Sequence, residues 1–157
     1  MDQARPCFEL SPGMTACCDC AAIISTPTNK VPASFLAAHA FVAHVGYPDL
    51  PGHPDHALAQ RLLPRGCGAV FSFAIKGTRD QGRKLIESLN LFSHLANVGD
   101  AKSLVIHPAS TTHFRMSAQD LAKAGITEGT IRLSVGLEDG DDLIEDLSRA
   151  LYVASKA

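Results

Sequence analysis

No apolar run in the 157-residue sequence approaches the ~18 to 20 residues that a membrane-crossing helix needs, which excludes a conventional transmembrane span. Charge of one sign is missing as well. Fourteen basic and 16 acidic residues leave a net charge of -2 and a pI near 6.4, so no general attraction to nucleic acid or to an anionic membrane follows. A disulfide framework is also missing: the cysteines number five, and Cys7, Cys17, Cys18 and Cys20 crowd near the start while Cys67 stands alone. That usage suits a reduced, cytoplasmic protein. Cys17-Cys18-Asp19-Cys20 holds a CxxC pair, but a zinc site takes about four ligands and no second CxxC or HxxxH follows at zinc-finger spacing, so no metal site is assigned. The N-terminus lacks a basic segment followed by an apolar run and a cleavage site, and is not read as a signal peptide.

What is present is enough for one core. Hydrophobic residues make up 46% and charged residues 19%, which excludes global disorder. Residues 1–29 carry Pro6, Pro12, Gly13, Pro27 and the cysteine group without sustained periodicity, and read as an irregular or unrelated N-terminal arm. From residue 30 the pattern becomes orderly. A helix end at Ser34–His39 precedes a strand at Phe41–Tyr47 stopped by Pro48. After turn residues Pro48–Gly52, His53-Pro54-Asp55-His56 opens a helix through Leu58, Leu62 and Leu63. His53 and His56 could share a metal only on a helical backbone, and Pro54 with Asp55 fits a helix start better.

Ala69–Ile75 reads as a strand and Asp80–Leu89 as a helix, with Gly82 a weak spot costing about 1 kcal/mol relative to alanine. His94–Asp100 is a polar loop, Ser103–Ile106 a strand and His107–His113 another loop. Ser117 caps a short helix with Asp120 in the capping-box position. Last come the strand Gly129–Asp139 and a helix through Leu143, Ile144, Leu147 and Leu151, entered through the acidic run Glu138–Asp142. Strands alternating with helices of about 10 to 16 residues give an α+β, two-layer sandwich: about four strands, mainly antiparallel, with helices on one face.

In the final strand Ile131, Leu133, Val135 and Leu137 alternate with Thr130, Arg132, Ser134 and Gly136, so Arg132 sits mid-strand on the face away from the core. A planar guanidinium fixed there can make two parallel hydrogen bonds to a carboxylate or phosphate. A solvated arginine on an open sheet face fits the same pattern.

Gly66–Phe73, Tyr47–Pro54, the loop Asn97–Asp100, Ser103–His113 and Ile131–Asp139 together resemble the small C-terminal domain of the pyridoxal-phosphate-dependent Cys/Met metabolism enzymes, of fold type I. Asn97 and the histidine-proline stretch look most like the O-acetylhomoserine sulfhydrylase branch. The resemblance covers residues 30–157. It implies a pyridoxal-phosphate-dependent transferase whose γ-replacement gives homocysteine for methionine and cysteine biosynthesis. It also implies an amino-acid substrate whose α-carboxylate Arg132 binds, with Asn97 lining the same site.

The resemblance equally marks what is missing. No Schiff-base lysine motif, glycine-rich phosphate cradle or catalytic residue of the large domain is found, and Lys30, after Thr26-Pro27-Thr28-Asn29, is not assigned that role. The expected function is that of a part, inactive and without cofactor alone, completed by a large pyridoxal-phosphate domain or by the full enzyme's homo-oligomer. A stand-alone binding or regulatory α+β domain is the alternative. Without its partner surface the domain is expected to self-associate.

Overall fold

A computed structural model of the chain describes residues 30–157; the arm and its CxxC pair lie outside the described residues. The elements run α1 (Lys30–Ala38), β1 (Val42–Gly46), α2 (His56–Leu62), β2 (Val70–Ile75), α3 (Arg79–Glu87), β3 (Ser93–His94), β4 (Leu104–Ile106), a 3-10 turn (Pro108–Ser110), α4 (Ala118–Lys123), β5 (Thr130–Ser134) and α5 (Gly140–Ser155). The sheet order is β1-β2-β5-β4-β3.

The α+β class holds, with three corrections. The sheet has five strands rather than about four, and it is mixed, because Ser93 and His94 pair in parallel with Leu104 and Val105 at the β4 edge. A two-residue strand is too short to show a period, and His94 reads from sequence as loop. Helices α1 to α4 are six to nine residues long, below the expected 10 to 16, and only α5 reaches 16. The last strand stops at Ser134: the Val135 N–H still reaches the Ala69 carbonyl beside β2, but the Gly136 and Leu137 N–H groups bond the loop at Ser103 and Ala101.

The core forms where two periods meet. Val45 of β1, Phe71, Phe73 and Ile75 of β2, Ile131 and Leu133 of β5 and Val105 of β4 face one way. Against them pack Ala33 and Leu36 of α1, Leu85 and Ile86 of α3, and Leu143, Leu147, Ala150, Leu151 and Ala154 of α5, at helical spacing. Caps set the entries: Asp139 accepts from the Asp141 N–H, and Ser117 from that of Asp120. Thr78 and Gln81 form a reciprocal capping box at α3, which starts at Arg79, one residue before the Asp80 start read from sequence.

Gly82 has a physical reason. A Cβ there would lie 2.5 Å from Nε2 and 2.9 Å from Cε1 of His107, a fully buried ring. Its Nε2 is 2.7 Å from the Glu128 carbonyl, which can only accept, so Nε2 carries the hydrogen and Nδ1 takes the Ser110 hydroxyl at 2.8 Å. Burial, the chief cause, pushes the His107 pKa below its ordinary value and keeps the ring neutral. Propensity alone says Gly82→Ala stabilises α3 by about 1 kcal/mol. The expected result is the reverse, a loss of about 1 to 3 kcal/mol by urea unfolding, because the methyl overpacks against a ring held at both nitrogens. A stabilised variant would show that the His107 contact is not tight.

Candidate functional site

β5 is the middle strand, bonded to β2 on one side and β4 on the other, which makes it the most rigid platform in the sheet. Ile131 and Leu133 point into the core, so Thr130, Arg132 and Ser134 lie on the opposite face. Arg132 stands opposite Ser72, which pairs in turn with Gly46, and opposite Ile106 on the other side. Small neighbours on the β1–β2 side leave the half-buried guanidinium stem little to pack on. Among the described residues the Arg132 guanidinium makes no hydrogen bond or ion pair with another side chain or backbone group. A guanidinium fixed by a central strand yet unpaired is an anion-binding group without its anion.

Asn97, the other residue expected in the site, is exposed on the loop between β3 and β4. The structure does not bond it to Arg132. What it does show is how that loop is held. The Ser103 hydroxyl accepts from the Gly136 N–H and donates to Glu138 Oε2, both at 2.8 Å. Glu138 Oε1 takes the Ser103 N–H at 2.8 Å, and the Leu137 N–H reaches the Ala101 carbonyl at 2.9 Å. The Asn97 loop is therefore pinned at 101–103 to the continuation of the strand that carries Arg132.

From sequence, Glu138 belongs with the acidic entrance to α5. Instead its carboxylate turns back to Ser103, while Asp139 alone makes the cap. Sequence reasoning missed this clamp because its partners lie 35 residues apart.

Other candidates are committed elsewhere. His53 Nδ1 accepts from the Asp55 N–H at 3.2 Å, and His56 Nδ1 donates to the Pro48 carbonyl at 3.0 Å. Among the described residues no group of three or more His, Cys, Asp or Glu is placed to hold a metal. Cys67 is a free, partly buried thiol pushed up in pKa by burial. A cavity of about 490 Å³ lies between α1, β1 and the turn at Leu50–Pro54, and is lined mainly by apolar groups such as Ala37, Ala38 and Val42. It sits at the β1 edge, away from Arg132, and its walls lack the charge that a carboxylate requires.

The lysines do not form a seat for an aldehyde cofactor. Lys30 pairs with Asp49 at 3.3 Å, Lys76 donates to the Ala40 carbonyl, Lys123 pairs with Asp120 and Lys156 lies over the Tyr152 ring. Lys84 and Lys102 are exposed.

This geometry agrees with comparison. Residues 3–152 match the Cys/Met metabolism PLP-dependent enzyme family, and the chain belongs to that family, whose cofactor is pyridoxal phosphate. The matched stretch takes in most of the arm as well as the described domain. More particularly, the chain is 49% identical to homocysteine synthase of Schizosaccharomyces pombe over 122 residues, 78% of this chain and 28% of that protein. With O-acetyl-L-homoserine sulfhydrylase of Leptospira meyeri it shares 48% over 120 residues, 76% of this chain and 27% of that one.

Among solved structures, a putative O-acetylhomoserine (thiol)-lyase of Campylobacter jejuni that carries a pyridoxyl-lysine phosphate superposes with a TM-score of 0.75. The identity is 41%, over 84% of this chain and 31% of that one. Cystathione gamma lyase of Micromonospora echinospora gives a TM-score of 0.73 at 40% identity, over 83% of this chain and 33% of that one. The chain spans less than a third of the length of the curated relatives it matches.

Proposed function

We propose that residues 30–157 are the C-terminal, substrate-carboxylate-binding part of an O-acetylhomoserine sulfhydrylase-like enzyme. The observation that carries this reading is Arg132: fixed mid-sheet, half-buried and without a counter-charge among the described residues. Its fork binds the α-carboxylate of the amino acid and so fixes which way the Cα–H bond points, an orientation effect rather than a chemical step. The pinned Asn97 loop borders the same site. Pyridoxal phosphate, held by residues this chain does not supply, provides the electron sink for replacing acetate by sulfide at the γ-carbon. The described residues do not fit that cofactor, so no step of its chemistry is placed on them.

A partner surface agrees with the part reading over the stand-alone alternative. α2 and the Leu63 that follows it leave Leu58, Leu62 and Leu63 exposed, apolar area of the kind that a large domain or a neighbouring subunit covers, and that otherwise drives self-association. The cytoplasm, where amino-acid substrate and reduced thiols coexist, is the proposed location; no described helix is long and apolar enough to cross a membrane.

The test is to mix the 157-residue chain with pyridoxal phosphate, reduce with borohydride and map any labelled lysine by mass spectrometry. The expected outcome is scattered, substoichiometric labelling of the exposed lysines. Stoichiometric labelling at one position, Lys30 for instance, would mean that the chain builds its own cofactor seat and is not merely a substrate-binding part.

A further inference from the structure

Ser134 is 3% exposed and its hydroxyl has no hydrogen-bond partner among the described residues. A buried hydroxyl left unmade costs about 1 to 3 kcal/mol, and the other buried side chains near this strand avoid that cost: Ser103 and His107 are each bonded twice or more. Nothing in the β-ladder requires a hydroxyl at this position. Its register partners on the same face are Val70 and Leu104, both apolar, so a valine or an alanine would pack there without a polar atom to satisfy.

Its position is informative. Ser134 is two residues beyond Arg132 on one strand, hence on the same face and about 7 Å along it. Two residues further, past the end of the strand, Gly136 is pinned to Ser103 at the base of the Asn97 loop. Ser134 therefore stands between the unpaired guanidinium and the loop. Two unsatisfied polar groups, one cationic and one a hydroxyl donor, are adjacent on the central strand of an otherwise well-bonded sheet.

We propose that the Ser134 hydroxyl is a second ligand-binding group of the Arg132 site, donating to the amino-acid carboxylate that the guanidinium holds. This rests on the carboxylate reading of Arg132 and adds a specificity element to it. A lone arginine accepts a carboxylate, phosphate or sulfate in several poses. A hydroxyl fixed at one end of the fork favours a planar carboxylate set along the strand, with the rest of the amino acid directed off the sheet.

The two claims separate in one titration. The 157-residue chain is titrated with O-acetyl-L-homoserine to high millimolar concentration, following the Arg132 side-chain and β5 amide resonances, and thermal midpoints are measured without ligand. The expected result is saturable shifts in the wild type, absent in Arg132→Ala. In Ser134→Ala the dissociation constant should rise about 10-fold, as for a lost hydrogen bond to a charged group, with a ligand-free midpoint unchanged or raised. Wild-type affinity in Ser134→Ala overturns the Ser134 proposal and leaves the Arg132 reading standing. A midpoint that falls by several degrees shows that the hydroxyl has a structural partner, and also overturns it. Absence of saturable shifts in the wild type removes the carboxylate reading, and the Ser134 proposal with it.

Discussion

Arg132→Ala, in residues 30–157 joined to the N-terminal portion of a full-length relative, should raise KM for O-acetylhomoserine at least ~30-fold while kcat changes little. Losing one partner of a hydrogen-bonded charge pair costs about 2 to 5 kcal/mol, and each 1.4 kcal/mol is a factor of about ten. The effect belongs mainly in KM because the α-carboxylate does not change charge during γ-replacement, so the enzyme grips it alike in ground and transition states. Arg132→Lys should recover only part of the loss, since an ammonium on a flexible stem cannot present two parallel donors.

Stability supplies the control. The Arg132 side chain has no ion pair or hydrogen bond among the described residues, so the alanine variant of the 157-residue chain should unfold within about 0.5 kcal/mol of wild type. Unchanged KM would return Arg132 to the solvated arginine that its sequence pattern equally allows. A fall of several kcal/mol in stability would make it a structural residue instead.

The sequence carried the long elements because their periods are long. Five alternating residues in β5 and a stripe from Leu143 to Leu151 in α5 leave little freedom in which face is buried, and the core falls on those faces. Short elements were hidden. β3 is two residues held by one edge, and α4 is six residues with a single large buried apolar side chain, Leu121, too little to show a period. Arg132 was visible as a residue on the open face, but its unpaired state depends on neighbours contributed by three other strands.

Polar groups serving distant backbone were the least legible. Asp146 lies on the buried stripe of α5 between Leu143 and Ala150, where the period calls for an apolar residue. It accepts the N–H groups of Asn90 and Leu91 and pairs with Arg149, fastening the turn after α3 to α5. Nothing local to Asp146 announces that turn, 55 residues away.

Gly136→Ala should lower the stability of the 157-residue chain by about 3 kcal/mol, on the order of 10 °C in Tm. Alternation along the strand makes Gly136 look like any residue on the solvent side, where alanine would be harmless. In the structure it is buried at a crossing. A Cβ there would press on the Ala101 carbonyl oxygen and lie 2.6 Å from both the Lys102 carbonyl carbon and Glu138 Oε2. Two of those neighbours are backbone, so no side-chain rotation relieves the contact, and the 99–103 loop must move outward. Moving it breaks the Gly136–Ser103 and Leu137–Ala101 hydrogen bonds that set the loop beside β5.

On the proposal that the Asn97 loop borders the Arg132 site, the same displacement disturbs that site, so in the joined enzyme Gly136→Ala should also raise KM for O-acetylhomoserine, even at temperatures where the fold is intact. Thermal unfolding and steady-state kinetics on one preparation distinguish the causes. Lost stability with unchanged KM would mean that the loop holds the sheet edge closed but takes no part in the carboxylate site. Unchanged stability would mean that the crossing is looser than its hydrogen bonds imply.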